Sequence, residues 1–470
     1  MAKILFSQYF QMEQLGIMSL AAILKRSGNE CRMAIGEKDV LREIASWQPD
    51  VLAATCYSGQ EEWWTNLFAA AKKLNPKIIT ITGGPGPSFD PEIISSPQVD
   101  VVCRGEGDQS ILEFIAKFNK NEDFSRTPNL WLKKNGTVVR NEVGNLLEDL
   151  DTLPFPDREI YQPYPFIYNN PTKHVLISRG CLFKCSFCYN SKWSELYENK
   201  GRYLRLRSID NVIAELAELK EKYAFSNFLF RDSNFLIKKD WILAFLKEYQ
   251  KKIGIPFYCN VIASLLDEEI VQALKESGCF LLAFGVESAD EDYRMNVLNK
   301  KVTDRQIRSA AELLHRYQVP FYTTNMLGLP GEDLNSALAT IRMNLEIKPA
   351  ASWFAIYTPY PEEPLTEYAR GKGYLKDTKL SLKDSSSYNR SLLKQKDIGQ
   401  VENLQKLVYL IFAFPPFLSA AKVLIKLPYN FCFKIIHDIT YLLFFVKRCR
   451  KWSFAQTVKE SLVAAKYYKN

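Results

Sequence analysis

Short β-rich runs alternate with helical stretches in two series along the 470 residues, and this alternation limits the folds that the chain can adopt. The first series covers residues 1–120, with the β-rich runs KILF, ECRMAI, VLAATC, IITITGG and VDVVC. Such alternation is typical of stacked βαβ units, which form an open parallel sheet with helices on both faces. The segment WLKKNGTVVR follows, and its Asn135-Gly136 pair predicts a hairpin turn. The first series therefore predicts an N-terminal Rossmann-like sheet.

The second series begins at His174 and contains six β-rich runs, each followed by a helical stretch or a loop. The six runs are HVLISRG, NFLFRD, PFYCN, CFLLAFGVES, PFYTTNMLG and SWFAIYT. Six repeats are too few for a closed eight-stranded barrel, so they predict an open, partial (β/α)6 barrel of the TIM type. Its active site is expected at the carboxyl ends of the strands.

The predicted fold class is α/β, with four segments. Prolines recur between Thr152 and Pro171, and they predict a linker between the two series. The predicted segments are a Rossmann-like domain at 1–143, the Pro-rich linker at 144–173, the barrel at 174–380 and a basic, apolar helical C-terminal region at 381–470.

The net charge of +8 lies entirely in the last seventy residues, which hold 11 basic and 3 acidic side chains. A neutral body and a tail without a nucleic-acid motif do not favour nucleic-acid binding. The apolar, basic tail suits either packing over the barrel mouth or peripheral contact with anionic lipid. Its longest uncharged stretch, 407–421, is shorter than the about 20 residues that span a bilayer. Without a secretory leader at the start, we expect a cytoplasmic protein, with the inner face of the membrane as a second location.

Three cysteines, Cys181, Cys185 and Cys188, stand on one loop directly after the first run of the second series. Three thiolates this close together can hold three irons of a cubane cluster and leave the fourth iron open to a small molecule. A structural zinc site is the alternative, and it implies a binding module without turnover. Such a site needs four ligands, and no fourth Cys or His follows nearby. A trio of structural thiols is the third possibility.

With the aromatic Phe187 before the third cysteine, this loop resembles the signature of the radical S-adenosylmethionine (SAM) superfamily, and the resemblance covers nearly all of residues 174–375. The resemblance implies a [4Fe-4S] cluster on Cys181, Cys185 and Cys188. It also implies reductive cleavage of SAM to a 5′-deoxyadenosyl radical, and an enzyme that oxygen destroys.

The same resemblance implies further SAM-binding residues at later strand ends. Asp232 and Ser233 stand where many family members have Gly-Gly-Glu, Glu287 and Ser288 belong to a Gly-Val-Glu-Ser segment expected at the ribose, and Gly328 begins the GLPGED segment expected at the adenine. Without the resemblance, Glu287 reads as a helix-cap carboxylate and GLPGE as a Pro-Gly turn. The segment PYPEEPLTEYA also resembles a family segment, and we assign it no chemistry.

The N-terminal sheet resembles the cobalamin-binding domain found before the radical core in one branch of this superfamily. The resemblance implies cobalamin contacts on two glycine-containing loops, at Gly83, Gly84, Ser88, Gly105 and Glu106. A dinucleotide site is the competitor, but the loop after the first run holds one glycine instead of Gly-x-Gly-x-x-Gly. No histidine lies in residues 1–173, so this domain cannot give cobalt an imidazole. A sheet that has lost its cofactor is the other possibility.

Together these features predict a cobalamin-dependent radical SAM enzyme, and methyl transfer to an unactivated carbon of an apolar or natural-product-like substrate is the expected reaction. Cyclisation, ring contraction or oxygenation with the same cofactors is the alternative. The expected partners are a small, lipid-like substrate and a reducing electron donor such as a flavodoxin or ferredoxin.

Overall fold

The computed structural model describes residues 1–375, 390–428 and 431–446. The chain folds as two compact units. The first comprises Met1–Gly180 with Tyr189–Phe225, and the second comprises Cys181–Cys188 with the described residues from Ser226 onward. Parts of the predicted barrel and C-terminal segments, at 376–389, 429–430 and 447–470, lie outside the described residues.

The first unit contains a seven-stranded sheet in the order β2-β1-β3-β4-β5-β6-β7. The first five strands are parallel, and β6 and β7 are antiparallel additions at the edge. The strands are β1 Lys3–Gln8, β2 Glu30–Ile35, β3 Val51–Thr55, β4 Ile79–Gly83, β5 Val101–Cys103, β6 Leu130–Lys134 and β7 Thr137–Arg140. The predicted parallel sheet and the hairpin at Asn135-Gly136 are confirmed. The order 2-1-3-4-5 places the topological switch point, where ligands bind in such sheets, between β1 and β3.

Helices cover both faces of this sheet, because alternate side chains of a buried parallel strand face opposite helix layers. Ile4 and Phe6 pack in the core that includes Met18, whereas Leu5 packs in the core that includes Phe68. The helices of the unit are α1 Leu15–Arg26, α2 Glu37–Trp47, α3 Glu61–Leu74, α4 Pro85–Phe89, α5 Asp108–Asn119, α6 Pro165–Tyr168, α7 Tyr189–Leu196 and α8 Ile209–Lys222.

The segment predicted as a linker is packed into the first unit. Its prolines leave only short helical turns, but Ile160, Tyr161 and Ile167 belong to the core beside β1 and α1. The Arg158 guanidinium pairs with the Glu13 carboxylate at 3.2 Å, and both side chains are buried. The segment is therefore irregular in backbone but fixed by apolar and ionic packing.

A second sheet has six strands in the order β15-β14-β13-β12-β11-β8, which confirms the six predicted runs. The pairs from β11 to β15 are parallel. The strands are β8 Thr172–Val175, β11 Asn227–Phe230, β12 Phe257–Asn260, β13 Cys279–Glu287, β14 Phe321–Leu327 and β15 Ala351–Ile356; β9 Ser178–Arg179 and β10 Arg205–Leu206 form a separate ribbon. The helices between these strands are α9 Lys239–Lys252, α10 Glu268–Glu276, α11 Glu291–Asn296, α12 Asp304–Arg316 and α13 Leu334–Ile347, and α14 Pro364–Gly371 follows β15.

Two of these helices begin within seven residues of the preceding strand, and a carboxylate caps each of them. The side chains of Asp290 and Asp333 accept hydrogen bonds from the backbone N–H groups of Tyr293 and Ser336, at the starts of α11 and α13. The loops between strand and helix are therefore short, and their residues stay at the carboxyl edge of the sheet.

The C-terminal part of the second unit is helical, as predicted, over its described residues. It contains α15 Ile398–Ala413, α16 Phe417–Leu424, α17 Phe431–Tyr441 and a π-helical turn at Leu442–Val446. Val401, Leu404 and Val408 of α15 pack in one core with Leu327 and Ile356 of the sheet. Within the described part of the chain, no helix combines the length and the apolar character needed to cross a bilayer.

Candidate active site

The three cysteines lie on a loop that is anchored to its own unit from two sides. Ser186, between the second and third cysteines, donates from its backbone N–H to the Leu298 carbonyl at 2.9 Å and from its hydroxyl to the Val297 carbonyl at 2.7 Å. The Ser186 carbonyl accepts a hydrogen bond from the Leu365 N–H at 2.9 Å. These bonds hold the loop beside α11 and α14, although the sequence around Cys185 contains no regular element.

Cys181, Cys185 and Cys188 are free thiols. Burial raises the pKa of Cys185 to about 12 and also raises that of Cys181, while the nearby Lys300 ammonium acts in the opposite direction on both. Metal binding to such thiols must therefore release protons. Across the described residues, no three His, Cys, Asp or Glu side chains converge on a point where one metal ion would sit. In a cubane cluster each thiolate binds a different iron, so the donor set of this loop fits a cluster without such convergence.

Glu287, predicted at the SAM ribose, is paired with a lysine that the sequence analysis missed. Its Oε1 lies 2.8 Å from Lys300 Nζ, and both side chains are less than a tenth exposed. Glu287 ends β13 with φ +66°, next to a register shift against β14. A Cβ at Gly285 would meet the charged ends of both side chains, so a larger residue there would have to displace the pair. Lys300 Nζ also lies 6.0 Å from the Phe187 ring centroid, which is cation–π range.

The Ser288 hydroxyl makes two hydrogen bonds within the protein. It donates to Glu332 Oε1 at 2.5 Å and accepts from the Asp290 N–H at 3.1 Å. Glu332 belongs to the GLPGED segment, and burial raises its pKa to about 7. The bond therefore ties the Gly-Val-Glu-Ser segment to the GLPGED segment, and Glu332 is a second residue that the sequence analysis did not single out.

The remaining predicted SAM contacts, Asp232, Ser233 and Gly328, differ in burial and in the contacts that they make. Asp232 is buried directly after β11, whereas its neighbour Ser233 is exposed. Gly328 has φ +71°, and its missing Cβ leaves space for the Ile398 side chain of α15. These positions stay predictions.

Buried oxygen atoms without hydrogen-bond partners gather in the loops after three strands of the second sheet. Within the described residues, these atoms are Asn234 Oδ1 after β11, Glu332 Oε2 after β14, and Thr358 Oγ1 and Glu363 Oε2 after β15. Unsatisfied buried oxygens are rare in native proteins because their desolvation is not compensated. This edge therefore has unused hydrogen-bonding capacity, which fits a polar ligand such as SAM.

In the first unit, Gly83, Gly84 and Ser88 form the turn from β4 into α4. Gly84 has φ +97°, and a Cβ there would lie 3.0 Å from the Cys56 carbonyl oxygen. The Ser88 hydroxyl donates to the Gly84 carbonyl at 2.7 Å and accepts from the Gly105 N–H at 3.0 Å. Ser88 thus joins the loops that follow β4 and β5.

Gly105 and Glu106 contact other residues of the first unit. The Tyr197 hydroxyl accepts from the Glu106 N–H at 2.5 Å and fills the space beside Gly105 where a Cβ would stand. The Glu106 carboxylate pairs with Arg179 at 3.0 Å and also with Arg205. From the resemblance, Glu106 is expected to contact the cofactor. The structure gives it two cations that lie 73 and 99 residues further along the chain.

The carboxyl edge of the first sheet offers a corrin ring hydroxyl groups and aromatic faces. Ser7 and Thr82, near the ends of β1 and β4, have buried hydroxyl oxygens without partners among the described residues. Tyr9, Phe10 and Tyr57 form edge-to-face ring contacts in the loops after β1 and β3, with Tyr9 almost half exposed. This edge fits a large, flat ligand with polar side groups.

Comparison with known proteins agrees with this architecture. The model of the radical SAM superfamily matches residues 175–343, and the model of the B12 binding domain matches residues 2–115. An uncharacterized methyltransferase of Pyrococcus horikoshii, PH0819, is 27% identical over 393 residues, which is 83% of each chain. The anaerobic magnesium-protoporphyrin IX monomethyl ester cyclase of Rubrivivax gelatinosus is also 27% identical, over 70% of this chain and 60% of the cyclase.

The fold is also shared with a solved structure. The cobalamin-dependent SAM radical enzyme OxsB, with aqua-cobalamin and SAM bound, superposes with a TM-score of 0.67 at 15% identity, over 99% of this chain and 75% of OxsB. The sheet that matches the B12 binding domain, the six-stranded sheet and the three-cysteine loop thus occur together in one chain. The chain belongs to the cobalamin-dependent radical SAM enzymes, whose cofactors are a [4Fe-4S] cluster, SAM and cobalamin.

Proposed function

We propose that this enzyme transfers a methyl group to an unactivated carbon of its substrate. The observation that carries the proposal is the three-cysteine loop, anchored beside the buried Glu287–Lys300 pair, in a chain that also has a B12-binding sheet. The methyltransferase PH0819 matches over most of both chains, which supports this reaction. When bound, the cofactors supply a 5′-deoxyadenosyl radical for hydrogen abstraction and the methyl group that replaces the hydrogen.

The residues of the chain would hold the reactants and control charge. Cys181, Cys185 and Cys188 would each bind one iron as thiolates, after losing their protons. Glu287 would accept hydrogen bonds from the ribose hydroxyls. The Lys300 ammonium, 2.8 Å away, would compensate the charge of that carboxylate in a buried position.

Cyclisation with the same cofactors is the second candidate, because the cyclase of Rubrivivax gelatinosus matches 70% of this chain. The two reactions differ in the fate of the methyl group of SAM. Product that carries label from methyl-labelled SAM supports methyl transfer, and product without label supports cyclisation.

The experiment that tests the function is anaerobic reconstitution with iron, sulfide and hydroxocobalamin, followed by incubation with methyl-labelled SAM and a cell extract. We expect 5′-deoxyadenosine and a labelled product. Cys185→Ala should abolish both, whereas Cys31→Ala is the matched control, since both thiols are 9% exposed. Full activity of the Cys185→Ala protein would contradict the proposal.

We also propose that the substrate is apolar and reaches the enzyme from an anionic membrane surface at the inner face of the membrane. The C-terminal helices and the turns between them carry large apolar side chains that are at least 42% exposed, namely Phe414, Val423, Leu427, Ile435 and Ile439. Lys422, Lys426 and Lys434 stand among them. Exposed apolar and cationic side chains together favour binding to anionic lipid.

Vesicle sedimentation tests this contact. The full chain should bind vesicles that contain phosphatidylglycerol and not vesicles of phosphatidylcholine alone. Val423→Ser with Ile439→Ser should weaken binding several-fold, and equal binding to both vesicle types would contradict the proposal.

We propose an external flavodoxin or ferredoxin as the electron donor, since reductive cleavage of SAM consumes an electron. Turnover with reduced flavodoxin in place of dithionite tests this, and turnover only with dithionite would contradict it.

A further inference from the structure

The loop between β15 and α14 contains two buried polar side chains that the reaction described above does not use. Thr358 is 5% exposed and Glu363 is 2% exposed. Neither Thr358 Oγ1 nor Glu363 Oε2 has a hydrogen-bond partner among the residues that the structure describes. Leaving such atoms unpaired costs folding free energy. Two of them on one short loop therefore indicate room for a hydrogen-bonding partner that the described residues do not supply.

The position of Glu363 excludes the usual structural role for its side chain. The residue is the N-cap of α14, but its carboxyl group makes no cap hydrogen bond. The loop itself is fixed, because the Leu365 N–H donates to the Ser186 carbonyl of the cysteine loop. The preceding residue, Glu362, has φ +65°, a strained conformation for a residue other than glycine. The carboxyl group thus stands two residues before the bond to the cysteine loop, and it does not cap the helix.

The chemistry of the pair favours a neutral ligand group. Burial alone raises the pKa of Glu363 to about 9, so the carboxyl group keeps its proton at neutral pH. A protonated carboxyl group presents an O–H donor next to a C=O acceptor, and the Thr358 hydroxyl can donate and accept. This combination complements a group with adjacent donor and acceptor atoms, such as a carboxamide or the edge of an aminopurine.

We propose that Thr358 and Glu363 form a binding site for such a neutral group on a reactant. The proposal rests on the proposed function, which supplies two sources for the group: the aminopurine ring of SAM, or a carboxamide of the methyl acceptor. With either source, the reactant would lie against the loop between β15 and α14, and α14 is hydrogen-bonded to the cysteine loop through Leu365 and Ser186.

Thermal unfolding of the reconstituted full chain separates a ligand site from a structural role. Glu363→Leu should leave the melting temperature unchanged or raise it, because it removes a buried group without a partner. Glu367→Leu is the control, since this exposed acid lies on the same helix. A fall of more than about 5 °C for both Glu363→Leu and Glu363→Gln would overturn the proposal.

Calorimetric binding of S-adenosylhomocysteine to the reconstituted chain identifies the source. If the group is the purine, Glu363→Leu should weaken binding at least tenfold and Glu363→Gln less than threefold, because the amide keeps a donor and an acceptor. If binding is unchanged but labelled product falls at least tenfold, the group belongs to the methyl acceptor.

Two results would overturn the proposal. The first is that Glu363→Leu changes neither the affinity for S-adenosylhomocysteine nor the yield of labelled product. The second is release of a proton on binding, which indicates a charged ligand. A wild-type chain that binds S-adenosylhomocysteine through Glu363 but transfers no methyl group would contradict only the proposed function.

Discussion

Replacement of Lys300 by methionine tests the electrostatics of the candidate site. The change removes the ammonium that lies 2.8 Å from Glu287 Oε1, in a pair whose side chains are 8% and 9% exposed. Breaking a buried ion pair on one side leaves an uncompensated charge and costs about 3–5 kcal/mol. We therefore expect Lys300→Met to lower the free energy of unfolding by about that amount.

The double variant Lys300→Met with Glu287→Gln should recover most of this loss, because no buried charge remains. The measurement is urea unfolding of the metal-free protein, followed by far-UV circular dichroism. Lys301→Met, at an exposed neighbouring position, is the control and should change stability by less than about 0.5 kcal/mol. A Lys300→Met protein as stable as the control, or a double variant no better than Lys300→Met, would refute the reasoning.

Three further predictions concern single residues. Gly285→Ala should lower the free energy of unfolding by about 1–3 kcal/mol, because its Cβ would displace the charged ends of the buried Glu287 and Lys300 side chains; wild-type stability in urea would contradict this. Since burial raises the pKa of Glu332 from 4.5 to about 7, its contribution to stability is full below pH 4.5 and is lost as the pH rises to 7. Glu332→Gln should therefore gain about 3 kcal/mol relative to wild type between these pH values, as measured by unfolding at each pH. Arg205→Met should destabilise the chain through the paired Glu106, and a Glu106→Gln background should reduce that loss; additive losses would show that the pair is not coupled.

The elements were predictable because their signals are local. The runs of alternating pattern predicted the order of strands, which the two sheets confirm. The Asn135-Gly136 turn fixed the hairpin between β6 and β7 through two residues with positive φ.

The partners of the site residues were not predictable, since they depend on contacts between distant segments. Glu106 has the character of a ligand-binding acid in the sequence, and only the fold reveals that Arg179 and Arg205 neutralise it. Lys300 belongs to no motif, although a buried carboxylate at Glu287 requires a cation somewhere in the chain. The Pro-rich segment between the two series was interpreted as a linker for the same reason, because burial of Ile160 and Tyr161 leaves no local pattern.

The most direct test of this account is electron paramagnetic resonance of the reduced, reconstituted enzyme before and after addition of SAM. We expect the spectrum of a reduced [4Fe-4S] cluster bound by the three-cysteine loop and a change in that spectrum when SAM coordinates the open iron, with both features lost in Cys185→Ala. A protein that binds zinc instead of iron, or an iron spectrum that SAM does not alter, would contradict it.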